Sequence, residues 1–317
     1  MKRRTFLGMA AGLAGLAAGA ETASLPIIDT HIHLFDPRRP QGVPWPEKTN
    51  AILYHPALPE RYRKVTEGLG VVGAIEIECS PWLEDNQWVL DIEAKDPIMV
   101  GTVGHLEPGA PAFPKQLERF HRNPLFLGIR YGNLWGRSLT DELSRAQFIA
   151  DLKALADAGL VMDTANPDPA LIAAVVQLTD QVPNLRVVID HLPQMALPPE
   201  TAARHAIEMN LGLLGHRPQV YVKVSEVLRR VNGHVPLDLD FYRATLDLLW
   251  DIFGQDRLLY GSDWPNGDQW GTYPQVLRIV REYFTSKGHA AAEKYFWKNS
   301  LAAYHWKKRE PTQPSLA

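Results

Sequence analysis

Cysteine is almost missing from this chain. Cys79 stands alone among 317 residues, so no intramolecular disulfide can form and stability has to come from a packed core. An excess of one charge is missing too. Thirty-three basic side chains against 36 acidic ones leave a formal net charge of −3, which offers nucleic acid or an anionic membrane surface little to hold. There is no internal repeat, and no low-complexity tract beyond the first twenty residues. No long apolar run is present either. Leu7 to Ala20 is short for a membrane-spanning helix and rich in glycine and alanine.

What is there begins with that run. It follows the basic start Lys2-Arg3-Arg4 and closes on the small residues Ala18-Gly19-Ala20. Residues 1–20 therefore read as a signal peptide, and the paired arginines before Thr5-Phe6-Leu7 point to the twin-arginine route. The expectation is a periplasmic or secreted protein without stable membrane association once the signal is cleaved. Its oligomeric state is left open.

Eight short, nearly all-apolar runs follow, at 27–31, 71–77, 98–103, 125–130, 160–163, 185–190, 220–224 and 257–261. Runs this apolar suit strands buried on both faces. Longer amphipathic segments lie between them. Helices are predicted over 146–158, over 169–178 behind Asn166-Pro167-Asp168, and over 239–253 with Gly254 as the stop. Strand alternating with helix eight times predicts an α/β fold, a single (β/α)₈ TIM barrel over residues 21–309, with an open doubly wound sheet as the alternative. Residues 310–317 are expected to be a frayed tail.

In such a barrel the reactive groups sit at the C-terminal strand ends, and polar residues recur there. The first run ends in His31-Ile32-His33. Residues two apart point the same way on extended backbone, so both imidazoles can reach one metal ion or one substrate oxygen. The sixth ends in Asp190-His191, where a histidine could equally be satisfied within a loop. The eighth ends in Gly261-Ser262-Asp263-Trp264-Pro265, and Asp263 can take a proton from water or complete a metal site. Arg130 closes the fourth run in a buried pattern, where an unpaired guanidinium is costly, and is expected to grip a carboxylate or another substrate oxygen. Lys223 is a similar oxyanion partner or pairs with a nearby aspartate. Glu78 is an extra ligand, a hydroxyl acceptor or a salt-bridged carboxylate. Tyr54, His55 and Trp82 fall on loops expected above the site, where aromatics can stack on a ring. His105 is a lesser candidate.

Taken together, Ile28-Asp29-Thr30-His31-Ile32-His33, Ile189-Asp190-His191-Leu192 and Tyr260-Gly261-Ser262-Asp263-Trp264-Pro265 resemble the amidohydrolase-related family. They look most like its branch of sugar-lactone hydrolases and 2-pyrone-4,6-dicarboxylate lactonase. Gly128-Ile129-Arg130, Lys223-Val224-Ser225 and the late Asn299-Ser300-Leu301-Ala302 are similar to that branch as well. The resemblance implies opening of a small cyclic ester, with Asp263 as general base on water and His191 as carbonyl polariser or metal ligand. It also implies one divalent ion, Zn²⁺ or Mn²⁺, on His31, His33 and Asp263. Against a firmly held metal, Met162-Asp163-Thr164 stands where metal-bound members carry a strand-five histidine, and no lysine ends strand four. A metal-free lactonase therefore stands beside the mononuclear site. The rivals are a metal-dependent decarboxylase, an amide or ester hydrolase of the same family, and a periplasmic small-molecule binding protein with an inactive barrel.

Overall fold

Each of the eight apolar runs forms a strand in the computed structural model, which describes residues 25–195, 197–199 and 201–316. The signal-peptide reading lies outside those residues. The strands are β1 (Ile27–Ile32), β2 (Val71–Ile77), β3 (Met99–Gly104), β4 (Phe126–Arg130), β5 (Val161–Thr164), β6 (Arg186–Ile189), β7 (Val220–Val224) and β8 (Leu258–Tyr260). They form one sheet in sequence order, with every neighbouring pair parallel. The last strand returns to the first. Asp263 N–H donates to His31 O and His33 N–H to Trp264 O, each at 2.8 Å, beside an Ile32–Trp264 bridge. The result is the (β/α)₈ barrel, not the open sheet.

The helices are α1 (Pro59–Thr66), α2 (Leu83–Glu93), α3 (Phe113–His121), α4 (Leu139–Glu142), α5 (Ala146–Asp157), α6 (Pro169–Gln181), α7 (Ala202–Gly215), α8 (Leu239–Phe253), α9 (Tyr273–Ser286), α10 (His289–Glu293) and α11 (Asn299–Tyr304). Local chemistry explains their ends. At α6 the Asp168 side chain accepts from Leu171 N–H and proline follows at the first turn, which satisfies an otherwise orphan donor. The helix then runs to Gln181, one turn beyond the predicted Leu178. Gly254, at φ 64°, ends α8 because only glycine takes that backbone without strain. Among the described residues no helix is long and apolar enough to cross a membrane.

Two cores result. The larger lies between strands and helices. The smaller gathers Ile28, Ile75, Val100, Leu127, Val161, Val188 and Leu259 from successive strands with Trp297, Tyr304 and Trp306. Only the barrel interior is shared by that many strands, so α11 and its flanks plug one end of it. Asn299 Nδ2 anchors the plug by donating to the carbonyls of Gln255 and Leu258, each at 2.9 Å. The expected fraying beyond 309 is corrected by Gln313. Its side chain is buried and donates to Val72 O and Pro97 O at 3.1 and 2.7 Å, while Arg309 donates to Glu93 O and Met99 O at 2.7 and 2.6 Å. Carbonyls exposed at the strand starts capture what composition alone marks as a loose end.

Candidate active site

Strand ends deliver the side chains. His31 and His33 leave β1, His191 follows β6 and Asp263 follows β8, and all four are buried. Oδ1 of Asp263 is their meeting point, 3.1 Å from His33 Nε2, 3.5 Å from His31 Nε2 and 3.9 Å from His191 Nε2. Asp29, beneath them, locks this corner. Its Oδ1 accepts from Ser262 N–H at 2.8 Å, and its Oδ2 from the hydroxyls of Tyr62 and Tyr273 at 2.9 Å each. Gly261 is required here, because a Cβ at that position would lie 2.8 Å from His31 Cβ.

Second contacts orient the rings. His33 Nδ1 is 2.8 Å from Ile77 O. A carbonyl can only accept, so Nδ1 carries the proton and Nε2 presents its lone pair to the cleft. Burial, helped by Arg130, pushes the His33 pKa down to about 4, so the ring is neutral at pH 7. A lone pair then faces a carboxylate oxygen at 3.1 Å. That pairing is repulsive unless a proton or a cation lies between. His31 Nε2, also buried, has no hydrogen-bond partner among the described residues. Its Nδ1 sits between Lys223 Nζ at 3.3 Å and Asp190 Oδ1 at 3.6 Å, so either tautomer finds a partner. His191 Nδ1 is held by Ser225 Oγ at 2.8 Å. Burial lowers the pKa of both His31 and His191 well below the usual value. His31, His33 and Asp263 thus make a donor set that fits one divalent ion.

The site opens into a cleft of about 510 Å³ lined by His33, Arg130, His191 and Asp263, with Trp45 and Trp135 as walls and Asn166, Glu226 and Asn266 as further polar groups. Of the seven non-glycine residues with positive φ among the described residues, five line this cleft: Trp135, Asn166, His191, Glu226 and Asp263, at φ 50–59°. Each such conformation costs on the order of 1–3 kcal/mol. Strain collected at one cleft marks side chains turned inward for use. Burial raises the Asp263 pKa to about 6, which leaves the group largely ionised yet basic near neutral pH.

Several expected site residues lie elsewhere. Lys223 is fully buried behind His31, 2.6 Å from Asp163 Oδ2 and 3.0 Å from Asp190 Oδ1. It is an ion-pair partner below the floor and does not line the cleft. Its companion Asp163 fills the strand-five place where the family resemblance expects a histidine. Glu78 is committed to Arg137 and His105, at 3.0 and 2.8 Å, and also lies outside the lining. Tyr54 and Trp82 are absent from the lining. The first long loop supplies an aromatic instead through Trp45, whose ring centroid is 5.4 Å from that of His33. Arg130 does reach the cleft. Burial opposes its charge, but Asp190, 3.1 Å from its Nε, raises its pKa, and its Nη1 donates to Glu78 O at 3.0 Å.

Glu226 and Asn266 also line the cleft, and the strand-end reading did not single them out. Asn266 Nδ2 donates to Asp263 Oδ2 at 2.6 Å and to Glu226 Oε1 at 2.9 Å. The available signal was proximity alone: Glu226 follows the seventh strand end at Ser225, and Asn266 lies three residues after Asp263.

An eight-stranded barrel with histidines from its first and sixth strand ends around an eighth-strand aspartate defines a class, and comparison with known proteins agrees. The profile of the family described as amidohydrolase matches residues 28–306, and the chain belongs to that family of hydrolases. Two curated relatives are named L-fucono-1,5-lactonase. The one from Burkholderia ambifaria is 28% identical over 244 residues, covering 75% of this chain and 80% of that protein. The one from Burkholderia multivorans is 23% identical over 291 residues, covering 87% and 94%. Among solved structures, a zinc-bound amidohydrolase from Burkholderia multivorans superimposes with a TM-score of 0.76 at 20% identity, covering 89% of this chain and all of that one. The superposition is a likeness of fold.

Proposed function

We propose that the protein hydrolyses the ring ester of a sugar-derived lactone. The observation that carries this is the convergence of three imidazoles on Asp263 Oδ1 at the mouth of the barrel. The names of the two curated relatives support the choice of substrate over decarboxylation.

Asp263 is the base. A water between it and the lactone carbonyl carbon loses a proton to the carboxylate as its oxygen attacks. The carbonyl π bond opens to an oxyanion next to His191 and Arg130. When the carbonyl re-forms, the bond from carbon to ring oxygen breaks, and Asp263 returns its proton to the leaving alkoxide. The product is the open hydroxy acid. Arg130 is held in place for this by Asp190 and Glu78 O. A divalent ion, when bound by His31, His33 and Asp263 beside His191, would supply Lewis acidity for the carbonyl and lower the pKa of water.

The test is a panel of five- and six-membered sugar lactones followed with a pH indicator, since each turnover releases one acid equivalent. Opening of a six-membered sugar lactone well above the spontaneous rate is expected. Failure across the panel would overturn the proposal. Export from the cytoplasm is proposed on residues 1–20 alone, and cell fractionation of the full chain tests it.

A further inference from the structure

Arg130 brings its guanidinium to the cleft from the end of β4. The chain leaves that strand through an irregular loop, residues 131–138, which also supplies the lining side chains Leu134 and Trp135. Trp135 and Gly136 are both left-handed, at φ 58° and 75°, a conformation that neither helix nor strand can hold. Arg137 folds back onto this loop. Its side chain is only 6% exposed, unusual for an arginine between elements, and it does not itself line the cleft.

The Arg137 fork is fully used. Nε donates to Leu134 O at 3.1 Å and Nη1 to Arg130 O at 3.0 Å, while Nη2 donates to Glu78 Oε1 and Oε2 at 3.0 and 3.2 Å. His105 Nδ1, 2.8 Å from Glu78 Oε1, braces that carboxylate from just beyond β3. Glu78 closes the circuit, because its carbonyl accepts from Arg130 Nη1 at 3.0 Å. One guanidinium thus ties the main chain of Arg130 and of the wall loop to the residue that holds the Arg130 side chain. A lysine, with a single nitrogen, cannot span acceptors on three sides of a planar fork.

Resting on the lactone reading, we infer that Arg137 is the positioning residue that aims Arg130 at the oxyanion, acting through Glu78 and the Arg130 main chain. It touches no reacting atom. Its effect falls on kcat, because the oxyanion exists only in the transition state.

The test is a double-mutant cycle on a six-membered sugar lactone, with folding checked by thermal melting. Arg137→Lys is expected to lower kcat roughly ten- to hundredfold with KM little changed, as displacing a catalytic group by about 1 Å does. In an Arg130→Lys background the same change is expected to cost far less, since the group it aims is already gone. An equal loss in both backgrounds, to within about twofold, would overturn the inference, as would a folded R137K enzyme with wild-type kcat. Where R137K does not fold, Glu78→Gln takes its place with the same expectations, because it weakens the hold on the fork and keeps the Glu78 carbonyl. If wild type opens no lactone, the proposed function fails separately. The positioning role is then decided by acrylamide quenching of Trp135, taken as the difference between each enzyme and its Trp135→Phe counterpart. Greater quenching in R137K than in wild type supports it, and equal quenching overturns it.

Discussion

Replacing Lys223 by methionine separates a structural cation from a catalytic one. Its ammonium is fully buried and lies 2.6 Å from Asp163, 3.0 Å from Asp190 and 3.3 Å from His31 Nδ1. Methionine fills similar volume but leaves both carboxylates short of their shared cation. Asp163 keeps the Tyr304 hydroxyl at 2.9 Å, and Asp190 keeps Arg130 at 3.1 Å and His31 Nδ1 at 3.6 Å. Removing one member of a buried ion pair costs roughly 3–5 kcal/mol. With about 290 described residues and an unfolding entropy of about 2.1 cal/mol/K per residue, the entropy is near 0.6 kcal/mol/K. The melting temperature of K223M should therefore fall by about 5–8 °C, as calorimetry at pH 7 would show. Had Lys223 been an oxyanion partner, the loss would fall on turnover, by about 10²–10³, with little change in stability. A melting temperature within about 1 °C of wild type would refute the buried-pair account.

Two further outcomes follow from single contacts. Burial, against a hydrogen bond from Thr102, raises the Glu76 pKa from 4.5 to about 8. Folding thus favours the protonated acid, and wild type loses stability as pH rises through that window, by up to about 1.4 kcal/mol per pH unit. The melting temperature of Glu76→Gln relative to wild type should climb between about pH 5 and about pH 8, and a pH-independent difference would contradict the burial argument. Gly261→Ala forces a Cβ to 2.8 Å from His31 Cβ and 3.3 Å from Ser225 Cβ. Lactone turnover should fall roughly 10²-fold with far-ultraviolet circular dichroism unchanged, and full turnover would show that His31 need not hold its position.

The barrel was legible because parallel strands buried on both faces write themselves as apolar runs, and all eight fell where β1 to β8 lie. The site's centre was legible for a related reason. His31, His33, His191, Asp263 and Arg130 end those runs, and strand ends are where a barrel opens. Legibility stopped where three-dimensional pairing decides. Lys223 looks like Arg130 in sequence, yet one faces the buried carboxylates and the other the cleft. Trp45, Tyr54 and Trp82 are equivalent as loop aromatics, and only the path of the loop brings Trp45 over His33. Glu226 was hidden because its orientation depends on a left-handed backbone and on Asn266, neither of which leaves a periodic trace.

The central claim is that Asp263 is the base that opens a lactone. It is tested most directly by the turnover of Asp263→Asn on the best sugar lactone of the panel, with folding checked by thermal melting. The account predicts a fall in kcat of about 10²–10⁴ with the fold retained. A folded D263N enzyme that turns over the same lactone near the wild-type rate would contradict it.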